Sequence, residues 1–344
     1  MTEAWSSEQA RWVFRRAATL AMAGAEPVGD LVLPNATFFP DRFDGSPESV
    51  GALSARMLSH VGLSDVETEV LLVDPEEGRV VSSCSSGGCG GSAPAVMSGE
   101  RVASTDDGYK ILVAAPEVRS STVLTTVLAR AVGHLFLLEA DAMRAFAKSE
   151  RAGAADLSAV MLGLGVLVAN GSGIEVKGCS GMKVHQATSI SAGEAALALA
   201  LVLEREALRK PGSTDALRAV AGSLDPVAKS LFGAARTFVK AQRALVRRLD
   251  DAPEPVERGD FSLRDPNEIG VGRKLLRIVG LDRTAADLDP IEALERELAA
   301  GTKKFEKPSA LAKDRPESPF ATRSTKRADL AELRALVDET LEGP

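Results

Sequence analysis

The chain has 344 residues, of which 45% are apolar and 4% are aromatic, and its formal net charge is −7. This length favours about two domains, or one domain with long appendages, and the apolar fraction is enough for a sizeable core of Ala, Leu and Val. The negative charge argues against a general nucleic-acid-binding protein, and no specific nucleic-acid partner is expected.

The first residues, Met-Thr-Glu-Ala, show no basic region followed by an apolar run, so no signal peptide is predicted. The longest apolar runs, at residues 157–170 and 191–203, are shorter than the roughly 20 residues that a membrane helix needs, and they predict buried helices. Three cysteines do not make a disulfide framework. We therefore expect a cytoplasmic protein without membrane contact.

Helical and alternating periodicity predict the elements of the first part of the chain. They are a helix at residues 3–24, a short strand and an irregular segment within 30–44, a helix at 46–62, and strands at 67–73, 79–83 and 109–115. A glycine-rich loop at residues 84–94 lies between the second and third of these strands.

The middle of the chain predicts three apolar helices, at residues 119–146, 154–169 and 191–209, with a glycine-rich break at 170–182. Ser191 and Glu194 have the spacing of a capping box at the start of the third helix.

The later part of the chain is predicted to be helical and then irregular. The predictions are two helices within residues 212–250, the second opened by Asp225-Pro226, a linker at 251–265, and short helices at about 267–279 and 289–300.

Residues 302–327 form a polar segment with eight Lys or Arg residues against three acidic ones. Such a segment cannot bury enough apolar surface to order itself. It leads into a predicted amphipathic helix at 328–342, whose apolar stripe consists of Leu330, Leu333, Val337 and Leu341. A basic tether that ends in such a helix suits docking onto a partner protein, and the alternative is that the helix folds back on its own domain.

These elements predict an α+β fold that is mostly helical, with a small N-terminal sheet packed on a helical core, further C-terminal helices and a disordered tail. The predicted regions are residues 1–210, 211–300 and 301–344.

Three stretches resemble a group of uncharacterised bacterial proteins that are similar to zincin metallopeptidases. They read LPNATFFPDRFDGSPESV at residues 33–50, LARAVGHLFLLEAD at 128–141 and DLSAVMLGLGVLVAN at 156–170. The resemblance covers about residues 32–205 and implies a zincin-like core. In zincins a helix carries His-Glu-x-x-His, in which both histidines bind zinc, the glutamate activates water, and a downstream carboxylate completes the site.

Laid on this chain, the motif is degenerate. His134 takes the place of the second histidine, Arg130 that of the first and Ala131 that of the glutamate. Arg cannot ligate a metal, because it stays protonated and has no acceptor, and Ala cannot take a proton. Our register puts Ala152 at the downstream carboxylate, with Glu150 close but out of phase. The resemblance therefore implies that catalysis is lost.

Arg130 is expected to pair with a carboxylate such as Glu150 or Asp156, so that a guanidinium replaces the zinc ion. Asp141 lies three turns away on the same helix and allows only a loose pairing. The alternative interpretation is a half-buried arginine and a hydrogen-bonded core histidine without functional meaning.

The three cysteines lie in glycine-rich loops and suggest a second kind of site. Cys84, Cys89 and Cys179 together with His185 supply the ligand types of a tetrahedral zinc site. The alternatives are a local disulfide between Cys84 and Cys89, or three ordinary thiols.

Three functions follow from these observations. The first is a non-catalytic scaffold or adaptor that binds another protein, possible also as an oligomer, with no cofactor. The alternative is a metalloprotein with a structural or redox-responsive zinc ion on the cysteines. The third is an active hydrolase that uses His134 with an unusual ligand set.

Overall fold

The computed structural model describes residues 4–73, 80–81, 96–97, 101–178, 181–210 and 214–264. These residues form a mostly helical α+β fold with a small mixed sheet, which confirms the predicted class at that level. They all belong to one compact unit, Met1–Asp282. The predicted helices after residue 264, the tether and the terminal helix lie outside the described residues.

The helices are α1 Ser7–Met22, α2 Pro47–His60, α3 Ser121–Glu139, α4 Arg151–Ala159, α5 Gly165–Gly171, α6 Ala192–Arg209, α7 Thr214–Ser223, α8 Pro226–Ala241, α9 Arg243–Asp251 and α10 Pro253–Arg258. The strands are β1 Thr68–Val73, β2 Val80–Val81, β3 Val96–Met97, β4 Val102–Thr105, β5 Gly108–Ala114, β6 Ile174–Gly178 and β7 Gly181–His185.

Helix starts follow the capping signals of the sequence. Ser191 and Glu194 make the predicted capping box at α6, and Ser6 makes a second one with Gln9 at α1. Pro226 occupies the first turn of α8, where its missing N–H costs no hydrogen bond.

The main sheet has the order β1-β5-β4, with β1 parallel and β4 antiparallel to β5. Strands β2 and β3 pair with each other, and β6 and β7 form a hairpin. The hairpin lies in the stretch that was predicted as a glycine-rich break, so that prediction was wrong. Its strands are only five residues each, and β6 ends and β7 begins with a glycine, which hides the alternation.

Helix α3 packs on α4 and α5 at backbone distance, because glycines stand at the contacts. A Cβ added to Gly133 would lie 2.1 Å from the carbonyl oxygen of Ala155, and one added to Gly171 would lie 2.1 Å from the Thr126 hydroxyl oxygen. The Thr126 hydroxyl donates to the carbonyl of Leu167 at 2.9 Å. This close approach fixes which residues of α4 face the middle of α3.

The predicted helix at 154–169 is interrupted by a kink at Gly163, which adopts φ 100°. The backbone N–H of Val32 donates to the carbonyl of Gly163 at 3.0 Å. The predicted short strand within residues 30–44 is absent from this part of the chain, because Val32 bonds to the kink instead of to a strand.

The predicted linker at 251–265 was wrong over its first half, which forms α10. Helix α10 packs on α1, and α8 packs on α6. The core that contains Phe14 of α1 also includes Val239 of α8, Leu249 of α9 and Val256 of α10.

The predicted boundary at residue 210 falls between α6 and α7, and the core continues across it. The buried Asn170 side chain crosses the same boundary, since its amide donates to the carbonyl of Ser223 at 3.0 Å and its oxygen accepts from the N–H of Asp225 at 2.9 Å.

Two helical stretches, Ser121–Glu139 and Arg151–Gly171, are by length and composition apolar enough to cross a membrane. In the fold 67% and 89% of their most apolar windows are buried inside the protein. Both also meet the description of core helices, and they supply the centre of the core.

Candidate functional site

The degenerate motif lies in the middle of α3. Arg130 and His134 are half-buried one turn apart, and His134 is engaged in an interaction of its own. Ala131 is 2% exposed and belongs to the core. A methyl group packed against other apolar side chains therefore fills the position that the zincin resemblance assigns to the general base.

The Arg130 guanidinium is bound on all three nitrogens. Its Nε donates to the Asp156 carboxylate, its Nη1 donates to the carbonyl of Ala187 at 2.7 Å, and its Nη2 donates to the hydroxyl of Ser189 at 2.7 Å. The Arg130 side chain is 15% exposed, and the Asp156 side chain is fully buried. We call Arg130, Asp156, Ala187 and Ser189 the guanidinium cluster.

Asp156 also ties down the segment that leads into α6. Its Oδ2 accepts the backbone N–H groups of Ser189 and Ile190, the latter at 3.0 Å. Burial raises the pKa of the Asp156 carboxyl above its usual value, while the Arg130 guanidinium and the two amides oppose that rise. Three donors thus surround the buried carboxylate.

The prediction that Arg130 pairs with Glu150 or Asp156 is confirmed for Asp156. Glu150 instead accepts two short bonds from Arg16 Nη2, both 2.7 Å, and one from Trp12 Nε1 at 2.9 Å. Burial raises the pKa of Glu150, but the bonds from Arg16 and Trp12 outweigh it and hold that pKa below its usual value.

The acidic residues in and before α4 have different roles. Ala152, which our register assigned to the downstream carboxylate, is exposed in the first turn of α4. Asp156, one turn further along, is the residue that faces Arg130. Asp141 lies just past the end of α3 and pairs with Arg144 on the surface.

The zinc hypothesis rests mostly on residues outside the described part of the chain, namely Cys84, Cys89 and Cys179. His185 is described and is half-buried at the end of β7, opposite Ile174. The Gly178–Gly181 pair closes the other end of the hairpin. Four residues of strand, about 13 Å, separate His185 from that closed end.

Within the described residues no group of three or more His, Cys, Asp or Glu side chains is placed to hold a metal ion. The zinc site therefore stays a prediction. The structure places His185 opposite Ile174, at the end of the β6–β7 pairing away from Gly178 and Gly181, and Cys179 lies outside the described residues.

Sequence reasoning did not single out Ala187 and Ser189. No periodicity or motif marks them, because their contact with Arg130 arises only when the segment between β7 and α6 lies across α3 and α4. The same holds for the buried ion pair of Arg101 with Glu117, which also accepts the N–H of Ala114 at 2.9 Å.

No family model, curated protein or solved structure matches the chain. The resemblance to zincins accordingly rests on the three sequence stretches alone.

Proposed function

We propose that this protein is a non-catalytic, zincin-like scaffold that acts by binding another protein. One observation carries the proposal. The residue at the first ligand position of the degenerate motif, Arg130, has its guanidinium bound to Asp156, Ala187 and Ser189.

Elementary chemistry supports the loss of catalysis. A guanidinium is permanently charged and has no lone pair for a metal, and here it occupies the buried carboxylate that a cation would need. Ala131 supplies no base for activating water. His134 alone is left, and a single neutral imidazole does not hold a metal ion at a catalytic site.

A structural role is enough to explain the guanidinium cluster, and no catalytic role is needed. Arg130 and Asp156 are joined by one hydrogen bond, and together they make four more to residues 187–190. They fasten this segment onto α3 and α4, as a bound metal ion fastens its ligands. The scaffold therefore keeps the shape of the site while its reactive groups are replaced.

The partner is proposed to be a protein, bound through the tail. The apolar stripe Leu330, Leu333, Val337 and Leu341 suits an amphipathic helix in a groove of that partner, and the basic tether gives it reach.

The test compares cross-linked complexes formed by the full chain and by variants in its host extract. Val337→Asp breaks the apolar stripe, and Ala335→Asp puts the same charge on the other face as a matched control. We expect one specific complex that survives Ala335→Asp and is lost with Val337→Asp. A complex that is unchanged in both variants contradicts the role of the tail.

Elemental analysis and peptidase assays of the purified chain test the other functions. Stoichiometric zinc that is lost on Cys84→Ser and Cys179→Ser establishes the metalloprotein. Peptidase activity that is lost on His134→Ala and on chelation overturns the non-catalytic proposal.

A further inference from the structure

Residues 257–264, which are the last two residues of α10 and the segment after it, satisfy their backbone in an unusual way. Helix α10 ends at Gly259 in a Schellman motif, with the N–H of Gly259 bound to the carbonyl of Val256 and the N–H of Asp260 to that of Pro255. After this end the described chain forms neither helix nor strand. Five of its carbonyl oxygens are nonetheless bound by side chains from α1, from α9 and from Gln242, the residue between α8 and α9. We call residues 257–264 the strap.

Two arginines of α1 hold the first half of the strap. Arg15 Nε donates to the carbonyl of Glu257 at 2.8 Å. Arg11 donates to two carbonyls, from Nη2 to Gly259 at 3.0 Å and from Nη1 to Phe261 at 2.9 Å. All three bonds go to the backbone, so they do not depend on the side chains of the strap.

Gln242 and Arg248 hold the second half. The Gln242 amide nitrogen donates to the carbonyl of Arg264 at 2.8 Å, and its oxygen accepts the N–H of the same residue at 2.9 Å. Arg248 donates to the carbonyl of Asp260 at 3.2 Å. Gln242 thus offers the donor and acceptor pair that a neighbouring β-strand offers to a residue in a ladder.

From Asp260 to Arg264 the side chains of the strap alternate between exposed and half-buried, as in an extended peptide. Asp260, Ser262 and Arg264 are exposed, whereas Phe261 and Leu263 are half-buried against the core. The Phe261 ring lies 6.2 Å from the Phe14 ring and 4.8 Å from the Arg11 guanidinium carbon, measured to ring centroids. The two half-buried apolar side chains of the strap thus lie two residues apart on the side that faces the core.

The buried amide of Gln242 is the informative residue. Its side chain is 2% exposed, and an apolar residue would fill the space without a polar group to satisfy. Its donor and acceptor match an extended backbone. A depression of about 320 Å³ also lies open along the strap, between Leu245 and Arg248 of α9 on one side and Phe261 and Ser262 on the other.

We propose that the groove formed by Arg11, Arg15, Gln242 and Arg248 is a peptide-binding groove that the strap occupies in cis. In trans it accepts an extended segment of a partner protein, with an aromatic residue at the Phe261 position and an aliphatic residue at the Leu263 position. The proposal builds on the proposed scaffold function, because it names a surface and the chemistry of the segment bound there. It is independent of the metal and peptidase assays.

Competition between the two occupants makes the proposal testable. A segment joined to its site through a short connection has an effective concentration of about millimolar, so the strap excludes weak trans ligands from the wild-type groove. Phe261→Ala weakens the strap and leaves all four groove side chains in place.

The experiment measures binding of a fluorescent peptide with the sequence of residues 257–264, ERGDFSLR, to full-length chains. We expect the peptide to bind Phe261→Ala at least about tenfold more tightly than wild type. Adding Gln242→Ala to Phe261→Ala should abolish binding, and a peptide with Ala in place of Phe should not bind. Leu263→Ala serves as a second opened variant.

Failure of the peptide to bind folded Phe261→Ala or Leu263→Ala overturns the proposal, and so does binding that ignores Gln242. Should both variants fail to fold, the deciding experiment adds the peptide at about millimolar concentration to the wild-type chain. The proposal then requires faster hydrogen–deuterium exchange of the Arg264 backbone N–H, which Gln242 binds, and an unchanged exchange rate overturns it.

Discussion

Arg130 of α3 and Asp156 of α4 form an ion pair in which the carboxylate is completely buried and the guanidinium is 15% exposed. Both groups complete their hydrogen bonds with the segment that precedes α6. We expect the loss of one partner to cost more stability than the pair itself contributes, because the other group would stay buried without its counter-charge.

Arg130→Ala should lower the free energy of unfolding by about 3–5 kcal/mol, because it leaves Asp156 buried without its positive partner. Urea unfolding followed by circular dichroism measures this. Arg144→Ala is the control, since that arginine is 84% exposed and pairs only on the surface, and it should change the value by less than about 0.5 kcal/mol. Equal effects of the two substitutions would contradict the assignment.

Asp156→Asn in the Arg130→Ala background should recover part of the lost stability. An amide costs less to bury than an unpaired carboxylate and still accepts from the N–H groups of Ser189 and Ile190. A double variant that is no more stable than Arg130→Ala alone would show that the buried charge is not the cause.

Arg130→His combined with Ala131→Glu tests the relation to zincins directly. The substitutions place an imidazole one turn before His134 and against Asp156, and a carboxylate at the position of the general base. We expect zinc to raise the thermal midpoint of this variant and not that of wild type. Adding Asp156→Ala should remove the effect. A folded variant that gains nothing from zinc would argue against a former metal site here.

Stability should depend on pH through Glu150, whose pKa in the folded protein lies below its usual value. Its bonds to Arg16 and Trp12 therefore stabilise the fold fully above the unfolded-state pKa, about 4.3, and lose that contribution as pH falls through the lower folded value. The stability difference between wild type and Glu150→Gln should be constant near pH 7 and shrink below about pH 4.5. A difference that stays constant down to pH 3 would contradict this.

Gly133→Ala should be strongly destabilising, by about 3 kcal/mol or more, because its Cβ would enter the backbone of α4 at Ala155 and Ala159. Gly51→Ala in α2 is the matched control. A Cβ there meets nothing within 4 Å, so helix propensity should raise stability by up to about 1 kcal/mol. Thermal unfolding of both variants measures the contrast, and destabilisation of both to the same extent would contradict the close packing.

Local signals in the sequence were sufficient to predict where the helices that carry them begin. Ser191 with Glu194, and Pro226 after Asp225, mark starts that the structure reproduces. The hairpin β6–β7 and helix α10 were missed because their glycines and prolines are the residues that usually end such elements. Helix α10 in addition is held by α1, which is distant in sequence.

The candidate site was predictable up to the choice between two carboxylates. Charge and spacing required an acidic partner for Arg130 and left Glu150 and Asp156 open. The choice depends on α1, which brings Arg16 and Trp12 to Glu150 and leaves Asp156 for Arg130. No pattern within α3 or α4 contains that information.

Asn170, at the junction of α5 with α7 and α8, lies in a sequence that favours deamidation. It precedes Gly171, the dipeptide at which an asparagine side chain most readily closes on the following backbone nitrogen and loses ammonia. In the fold that backbone is helical, and both side-chain atoms are held by Ser223 and Asp225. Conversion to aspartate would turn the donor that faces the Ser223 carbonyl into an acceptor. The rate at which mass spectrometry finds this conversion in stored protein should therefore report how often the junction opens.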